Sequence, residues 1–287
     1  MMISSPLVLL GAHMSIAGGT PNAVDRARRA GCTVLQIFVK NSNQWKAKPL
    51  AEDEIQEFHT RRLAAGLSHA VAHAGYLINL ASPEGQLRRQ SIESLLDELE
   101  RAGRLGLSHL VIHPGAHRGD GETVGVARVA AALNEIQERF DPEAVVTLEG
   151  TAGQGTSLGY RFEHLRDILG GCQQPERVAI CLDTCHLFAS GHDFRDLEGF
   201  NRMLEEFDRT VGLRKLAVFH VNDSKRELGS RVDRHEHIGK GRIGIDGFRW
   251  LLNDPRLSHV PKILETPKGV TLRLDKRNLR VLRSLLQ

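Results

Sequence analysis

Short apolar runs alternate along the whole chain with longer segments whose apolar residues recur every three or four positions. The runs predict strands over residues 7–11, 33–39, 70–73, 109–113, 145–149, 178–183, 216–220 and 262–265, the first reaching on to His13. The longer segments predict helices over 20–30, 50–65, 91–106, 127–139, 164–169, 200–210 and 272–286. Leu95, Leu96 and Leu99 mark the clearest helical stripe. Thr20-Pro21 reads as an N-cap followed by a first-turn proline, and Gly31 as a stop.

Eight strands alternate with helices in 287 residues, with no linker, repeat or block left over for a second domain. That pattern predicts a single α/β domain over 1–287, a (β/α)8 TIM barrel. No GxGxxG follows the first strand, which argues against a dinucleotide-binding open sheet.

Six successive predicted strands end in a metal-competent residue: His73, His113, Glu149, Asp183, His220 and Glu265. In such a barrel the carboxyl ends of the strands open on one face, so these six converge on one mouth. Alternation agrees, because Val145, Thr147 and Glu149 share one side of their strand, as do Leu216, Val218 and His220. Each residue alone has a plainer reading. A strand-end Asp such as Asp183 commonly caps the next helix, with His186 merely nearby in a loop. Together, three acids and three imidazoles in one mouth would repel and desolvate one another, and divalent cations relieve both costs. Mixed nitrogen and oxygen donors favour Zn²⁺ or Mn²⁺, and six donors exceed what one tetrahedral zinc takes, so at least two metals are expected. Asp233 and His235, two residues apart in Val232-Asp-Arg-His235, would make a further three-donor site with His186. His237 is an alternative donor there, and a loop pair between Asp233 and Arg234 is the plainer reading.

Composition narrows the class. With 41% hydrophobic and 25% charged residues the chain is expected to be globular, and a net charge of +3 permits a polyanionic partner without demanding one. Basic loops at 40–48, Lys225-Arg226 and Lys240-Gly-Arg242 can ring the active face. Cys32, Cys172, Cys181 and Cys185 fit no CxxC pair or disulfide framework and read as reduced thiols of a cytosolic protein, with Cys181 and Cys185 packing rather than ligating. No segment has the length of a membrane span, and the N-terminal apolar run lacks the basic start of a signal peptide. A serine nucleophile is disfavoured: GxSxG is absent, and Gly155-Thr-Ser-Leu-Gly159 has no evident base. His13 stands alone rather than in an HxH pair, free to orient a ligand or meet a phosphate.

The motifs Gly11-Ala-His-Met-Ser, His73 with Tyr76-Leu-Ile-Asn-Leu80, His113-Pro-Gly, Leu148-Glu149 before Thr151-Ala-Gly-Gln-Gly155, Leu182-Asp-Thr-Cys-His186, Asn222-Asp223-Ser-Lys, Arg231-Val-Asp-Arg-His235 and Leu264-Glu-Thr266 run from the first strand to the last. In these the chain resembles the endonuclease IV family of apurinic/apyrimidinic endonucleases. The resemblance implies a TIM barrel with three Zn²⁺ ions, Mn²⁺ being an alternative at one site. It implies cleavage of double-stranded DNA on the 5′ side of an abasic site, by a metal-activated hydroxide, to leave a 3′-hydroxyl. Carried over, His73, His113 and Glu149 hold one metal, Glu149, Asp183, His220 and Glu265 a second, and His186, Asp233 and His235 the third. Glu149 is then the bridging, catalytic carboxylate.

DNA contacts are expected from Lys40, Gln44, Tyr76, Leu77 and Arg234. Two positions depart from the family pattern. Gly150 stands where the family often has Asn, and Asn43 where members can carry a wedging Arg. Gln44, Tyr76 and Leu77 then remain as wedge candidates. The expected setting is a cytoplasmic monomer associated with the nucleoid through DNA. Two rivals are a divalent-metal sugar isomerase or epimerase on the same barrel, which would need neither Asp233-Arg-His235 nor the basic loops, and a non-catalytic zinc-dependent protein that binds damaged DNA.

Overall fold

The computed structural model describes residues 8–67 and 69–287. Leu7, where the first strand is predicted to begin, lies outside them. In chain order the strands are β1 (Leu10–His13), β2 (Val34–Phe38), β3 (His69–His73), β4 (His109–Ile112), β5 (Val145–Glu149), β6 (Val178–Asp183), β7 (Leu216–His220), β8 (Asp223–Ser224), β9 (His235–Glu236) and β10 (Lys262–Leu264). All but β8 and β9 close into a parallel barrel in the order β1-β10-β7-β6-β5-β4-β3-β2. The helices are α1 (Thr20–Ala30), α2 (Glu52–Ala64), α3 (Gly85–Arg104), α4 (Glu122–Arg139), α5 (Phe162–Gly171), α6 (Thr184–Ser190), α7 (Leu197–Thr210), α8 (Ile245–Asn253) and α9 (Arg273–Ser284). All eight predicted strands and all seven predicted helices are present; α6, α8 and the β8–β9 hairpin are additions.

The core has two shells. The larger lies between barrel and helices, where Leu95 and Leu99 of α3, Phe207 of α7 and Leu279 of α9 are fully buried. The smaller fills the barrel axis with Val34, Val71, Val111, Cys181, Val218 and Ile263. This is the inner layer of side chains that closes a barrel as a packed core rather than a pore. Gly11 allows β1 to join it: a Cβ there would lie 1.9 Å from the Val34 carbonyl oxygen.

Local chemistry sets several boundaries. Gly31 ends α1 in the left-handed conformation (φ 84°), as expected. Thr20, however, lies inside α1 and caps nothing; its hydroxyl donates to Glu54 Oε1 at 2.9 Å, tying α1 to α2. Helix α3 begins six residues before its predicted start, because its first turn is polar and lacks an apolar stripe. A register shift between Ile180 and Cys181 sets Asp183 directly opposite His220 in β7.

Candidate metal centre

Two residues beyond each member of the axial layer stands a polar side chain. Val34 precedes Gln36, Val71 precedes His73, Val111 precedes His113, Cys181 precedes Asp183, Val218 precedes His220 and Ile263 precedes Glu265. Buried Thr147 precedes Glu149 in the same way. The two-residue period of a strand keeps each pair on one side, so the layer above the apolar plug is a ring of donors at the barrel mouth.

Glu149 is the hub of that ring. Fully buried, it places Oε2 3.2 Å from His73 Nε2 and 3.1 Å from His113 Nε2. Its Oε1 lies 3.0 Å from His220 Nδ1 and 3.3 Å from His186 Nδ1. Glu265 Oε2 is 3.3 Å from the same His220 nitrogen. Five groups emerge in which the potential ligand atoms all lie within 4.8 Å of one another: His73, His113 and Glu149; Glu149, Asp183, His220 and Glu265; Asp183, His186 and His235; and two that include a thiol, Glu149 with Cys181 and His220, and Cys185 with Asp233 and His235. Asp233 spans the last two histidines, with Oδ2 3.1 Å from His186 Nε2 and Oδ1 3.3 Å from His235 Nε2. The nine residues expected to hold metal are therefore gathered, and Asp183 additionally borders the third group. His237 is elsewhere, its Nδ1 bonded to Asn278.

The histidines are set for ligation by what their other nitrogen does. His73 Nδ1 donates to the Ala74 carbonyl at 2.8 Å, His186 Nδ1 to the Gly150 carbonyl at 2.9 Å, and His235 Nδ1 to the Glu265 carbonyl at 3.2 Å. His220 Nε2 donates to Gln36 Oε1 at 2.8 Å. In the neutral ring each bond fixes the tautomer and leaves a lone pair on the opposite nitrogen, Nε2 of His73, His186 and His235 and Nδ1 of His220. His235 Nε2 is moreover a buried polar atom with no hydrogen-bond partner. A site that leaves such an atom aimed at Asp233 and Asp183 fits a cation. The carboxylates favour positive charge here in either form, a bound cation or protonated imidazoles. Burial would raise the Glu149 carboxyl, but His220 and His113 hold it well below the usual range. Burial would lower His186, but Asp183 and Asp233 raise it well above the usual imidazole value. Asp233, likewise penalised by burial, is brought down to about 2 by His186 and His235.

Asp183 caps a helix and still turns an oxygen to the mouth. Oδ1 caps α6, accepting from the Cys185 and His186 amides at 2.6 and 3.1 Å, while Oδ2 faces the mouth and accepts from Asn222 Nδ2 at 2.6 Å. His186 accordingly lies in the first turn of a helix, not in a loop. The local pair of Asp233 with Arg234 does not form, since the guanidinium turns to the Asp233 carbonyl. Fully buried Asp223 accepts from the amides of Ser224, Gly241 and Ile243, folding the loop that delivers Asp233 and His235.

Two residues support the ring without having been assigned a role from the sequence. Gln36 joins His220 to Glu265, its Nε2 2.6 Å from Glu265 Oε1, and Asn222 supports Asp183 while accepting from the Glu265 amide at 2.8 Å. The signal for Gln36 was an amide two residues past Val34 in an otherwise apolar strand. His13 lies 3.6 Å from Glu265 Oε1 and 3.0 Å from Gln36 Nε2, so it orients a candidate ligand. Gly150 serves through its carbonyl, which any residue offers, and its Cβ direction is open to ordinary contact at 3.4 Å.

Of the expected DNA contacts, Tyr76 is 64% exposed, with its ring edge-on to Phe38 at 5.4 Å. Gln44 and Arg234 are exposed and Leu77 half-buried. Arg234 helps line a cavity of about 230 Å³ with His113, His186 and Asp233. Lys40 corrects the expectation. It is 4% exposed, and its Nζ bonds Asp97 at 2.8 Å, Ser94 at 3.0 Å and the Trp45 carbonyl at 3.1 Å, so it cannot meet a phosphate. Glu98, 3.4 Å from Lys40, accepts from the Gly75 amide, and Arg101 donates to the carbonyls of Ala47 and Lys48. This buried ionic joint fastens the loops that present Gln44 and Tyr76. All four cysteines are free and buried, and burial raises the Cys181 and Cys185 thiols to about 12.

Fold and mouth together define a metal-competent enzyme on a TIM barrel, and comparison with known proteins narrows the class. Residues 24–285 match the family model described as the xylose isomerase-like TIM barrel. A probable endonuclease 4 of Geobacter sp. (strain M21) is 49% identical, covering 97% of this chain and 99% of that one. The crystal structure of endonuclease IV from Thermus thermophilus superposes with a TM-score of 0.85 at 40% identity, covering 96% of this chain and 98% of that one. The chain belongs to the endonuclease IV family of apurinic/apyrimidinic endonucleases, metal-dependent phosphodiesterases. A D-tagatose 3-epimerase-like protein, 18% identical with a TM-score of 0.73 over 96% of each chain, shares the fold alone.

Proposed function

We propose that this chain is a zinc-dependent endonuclease of base excision repair that hydrolyses the phosphodiester of double-stranded DNA 5′ to an abasic site, leaving a 3′-hydroxyl. The observation that carries the reading is the convergence of nine donors into three adjoining groups through Glu149, Asp183 and Asp233, with histidine tautomers preset. His73, His113 and Glu149 would hold one cation, Glu149, Asp183, His220 and Glu265 a second, and His186, Asp233 and His235 a third. Mixed imidazole and carboxylate donors suit zinc, with manganese as an alternative at one site. Bound cations supply Lewis acidity towards the phosphodiester and its attacking water.

The protein's own contribution is placement. Glu149 joins two donor groups through separate oxygens, so it sets their spacing. Gln36 and Asn222 hold Glu265 and Asp183 in register, and Arg234 offers its guanidinium to a phosphate entering the adjoining cavity. Tyr76, Leu77 and Gln44 border the mouth as candidates to fill the gap when an abasic nucleotide turns out of the stack. Among the described residues no helix is long and apolar enough to cross a membrane. A cytoplasmic, nucleoid-associated monomer remains part of the proposal.

The deciding experiment incubates the protein with a duplex carrying one abasic site, sizes the products and tests the new end for extension by a polymerase. Cleavage 5′ to the lesion with an extendable 3′ end is expected. An intact duplex from protein loaded with zinc and manganese would overturn the reading. Elemental analysis is expected to find three metals per chain, mainly zinc; one metal or none after incubation with zinc would remove its basis.

A further inference from the structure

Helix α9 carries more net charge than the entire chain. Arg273, Lys276, Arg277, Arg280 and Arg283 face one carboxylate, Asp275, a surplus of four where the whole protein carries +3. Asp275 is buried and bonded to Lys268, so it does not offset the exposed face. The five cations recur at three- and four-residue spacing, opposite buried Asn278, Leu279 and Leu282, and form no ion pair among the described residues. Like charges at that spacing repel one another and weaken a helix. An uncompensated stripe of this kind is poorly explained as a solvated face.

The stripe also lines a concavity. Arg273, Lys276, Arg277 and Arg280 border a groove of about 600 Å³ whose far wall includes Arg29, the last basic residue of α1. Through Arg29, Thr271 and Leu272 this groove is continuous with a depression of about 710 Å³ that takes in Arg26 and reaches His13 and Phe38 at the barrel mouth. The basic groove therefore joins a depression that reaches the edge of the barrel mouth at His13.

We propose that the α1–α9 groove is an accessory track for the phosphodiester backbone of duplex DNA, gripping the substrate's flank several nucleotides from the lesion. The proposal rests on the function proposed above. The seven steps from Arg273 to Arg280 rise about 10 Å at 1.5 Å each. Measured along the duplex axis, that length corresponds to about three phosphates of one strand at 3.4 Å each. The track lies outside the mouth, so a duplex with short arms is cut without engaging it.

The test compares zinc-loaded wild-type protein with the combined variant Arg273→Ala, Lys276→Ala, Arg277→Ala, Arg280→Ala on abasic duplexes of about 11 and about 40 base pairs, across a salt series. On the long duplex the variant is expected to bind about ten-fold more weakly at low salt, with a log Kd against log salt slope smaller by about 3 to 4. On the short duplex affinity, salt slope and cleavage rate should match wild type, as should metal content and thermal midpoint. An unchanged slope on the long duplex would overturn the track, as would equal weakening on both lengths, which would place these cations at the mouth. Loss of binding to phosphatidylserine vesicles with long-duplex binding intact would also overturn it, assigning the stripe to a lipid surface. Wild-type protein that cuts neither duplex would instead remove the proposed function itself.

Discussion

Replacing Glu149 by Gln removes one charge from the mouth while keeping the side chain's size, so it tests the hub without cutting a cavity. The carboxylate is fully buried and faces four imidazoles at 3.0 to 3.3 Å through its two oxygens. Breaking a buried charge network by removing one partner costs about 3–5 kcal/mol. At about 1.4 kcal/mol per decade, that corresponds to between two and nearly four orders of magnitude in cation affinity or turnover. The Gln amide also points donor hydrogens at part of the cluster, which opposes a cation directly. The assay measures single-turnover cleavage of an abasic duplex beside metal content and thermal unfolding of the same sample. Turnover should fall by at least two decades, two of the three donor groups should bind metal more weakly, and far-ultraviolet dichroism should stay that of the barrel. A folded Glu149→Gln protein with near-normal cleavage and full metal content would refute Glu149 as the shared carboxylate.

Other consequences are independent of that one. Tyr76→Ala should weaken binding to abasic duplex by about 1–3 kcal/mol at fixed salt, far more than to the matching intact duplex, with metal content unchanged; equal weakening on both would make Tyr76 a general contact. Lys40→Met should destabilise the protein by about 3–5 kcal/mol in denaturant titrations, because Glu98, 1% exposed, loses its buried partner. Lys40→Met combined with Glu98→Gln should recover much of that loss, and an absence of recovery would deny the ionic joint. Lys262, 2% exposed, is lowered to about 8 by burial. Its unfolded-state value lies near 10.4, so the folded chain carries a buried ammonium below pH 8, and between about pH 8 and 10.4 the unfolded state binds the extra proton. Stability should therefore rise with pH across that window. Lys262→Met should abolish the rise and be the more stable protein at pH 7, by about 1–3 kcal/mol; identical pH profiles for the two proteins would count against a costly buried charge.

How far the sequence reaches can be judged from individual residues. His73, His113, Glu149, Asp183, His220 and Glu265 were legible because strand ends and two-residue alternation are local properties, and a parallel barrel sends every such end to one mouth. The boundaries of β5 and β7 follow directly from their apolar runs. Helix α6 and the β8–β9 hairpin did not emerge, being seven residues long and two residues per strand, too short for a period to register. Lys40 was misplaced for a related reason. A lysine in a basic loop reads as surface, and only Ser94, Asp97 and Glu98 of α3, more than 50 positions away, reveal it as buried. Gln36 meets Glu265 across 229 positions and His220 across 184. The alternation of apolar and polar residues thus determines the barrel and the donors at its rim. Which nitrogen of each histidine is free, which carboxylate is shared, and which cations face outward depend on side chains that meet only when the barrel closes, and no local pattern encodes those meetings.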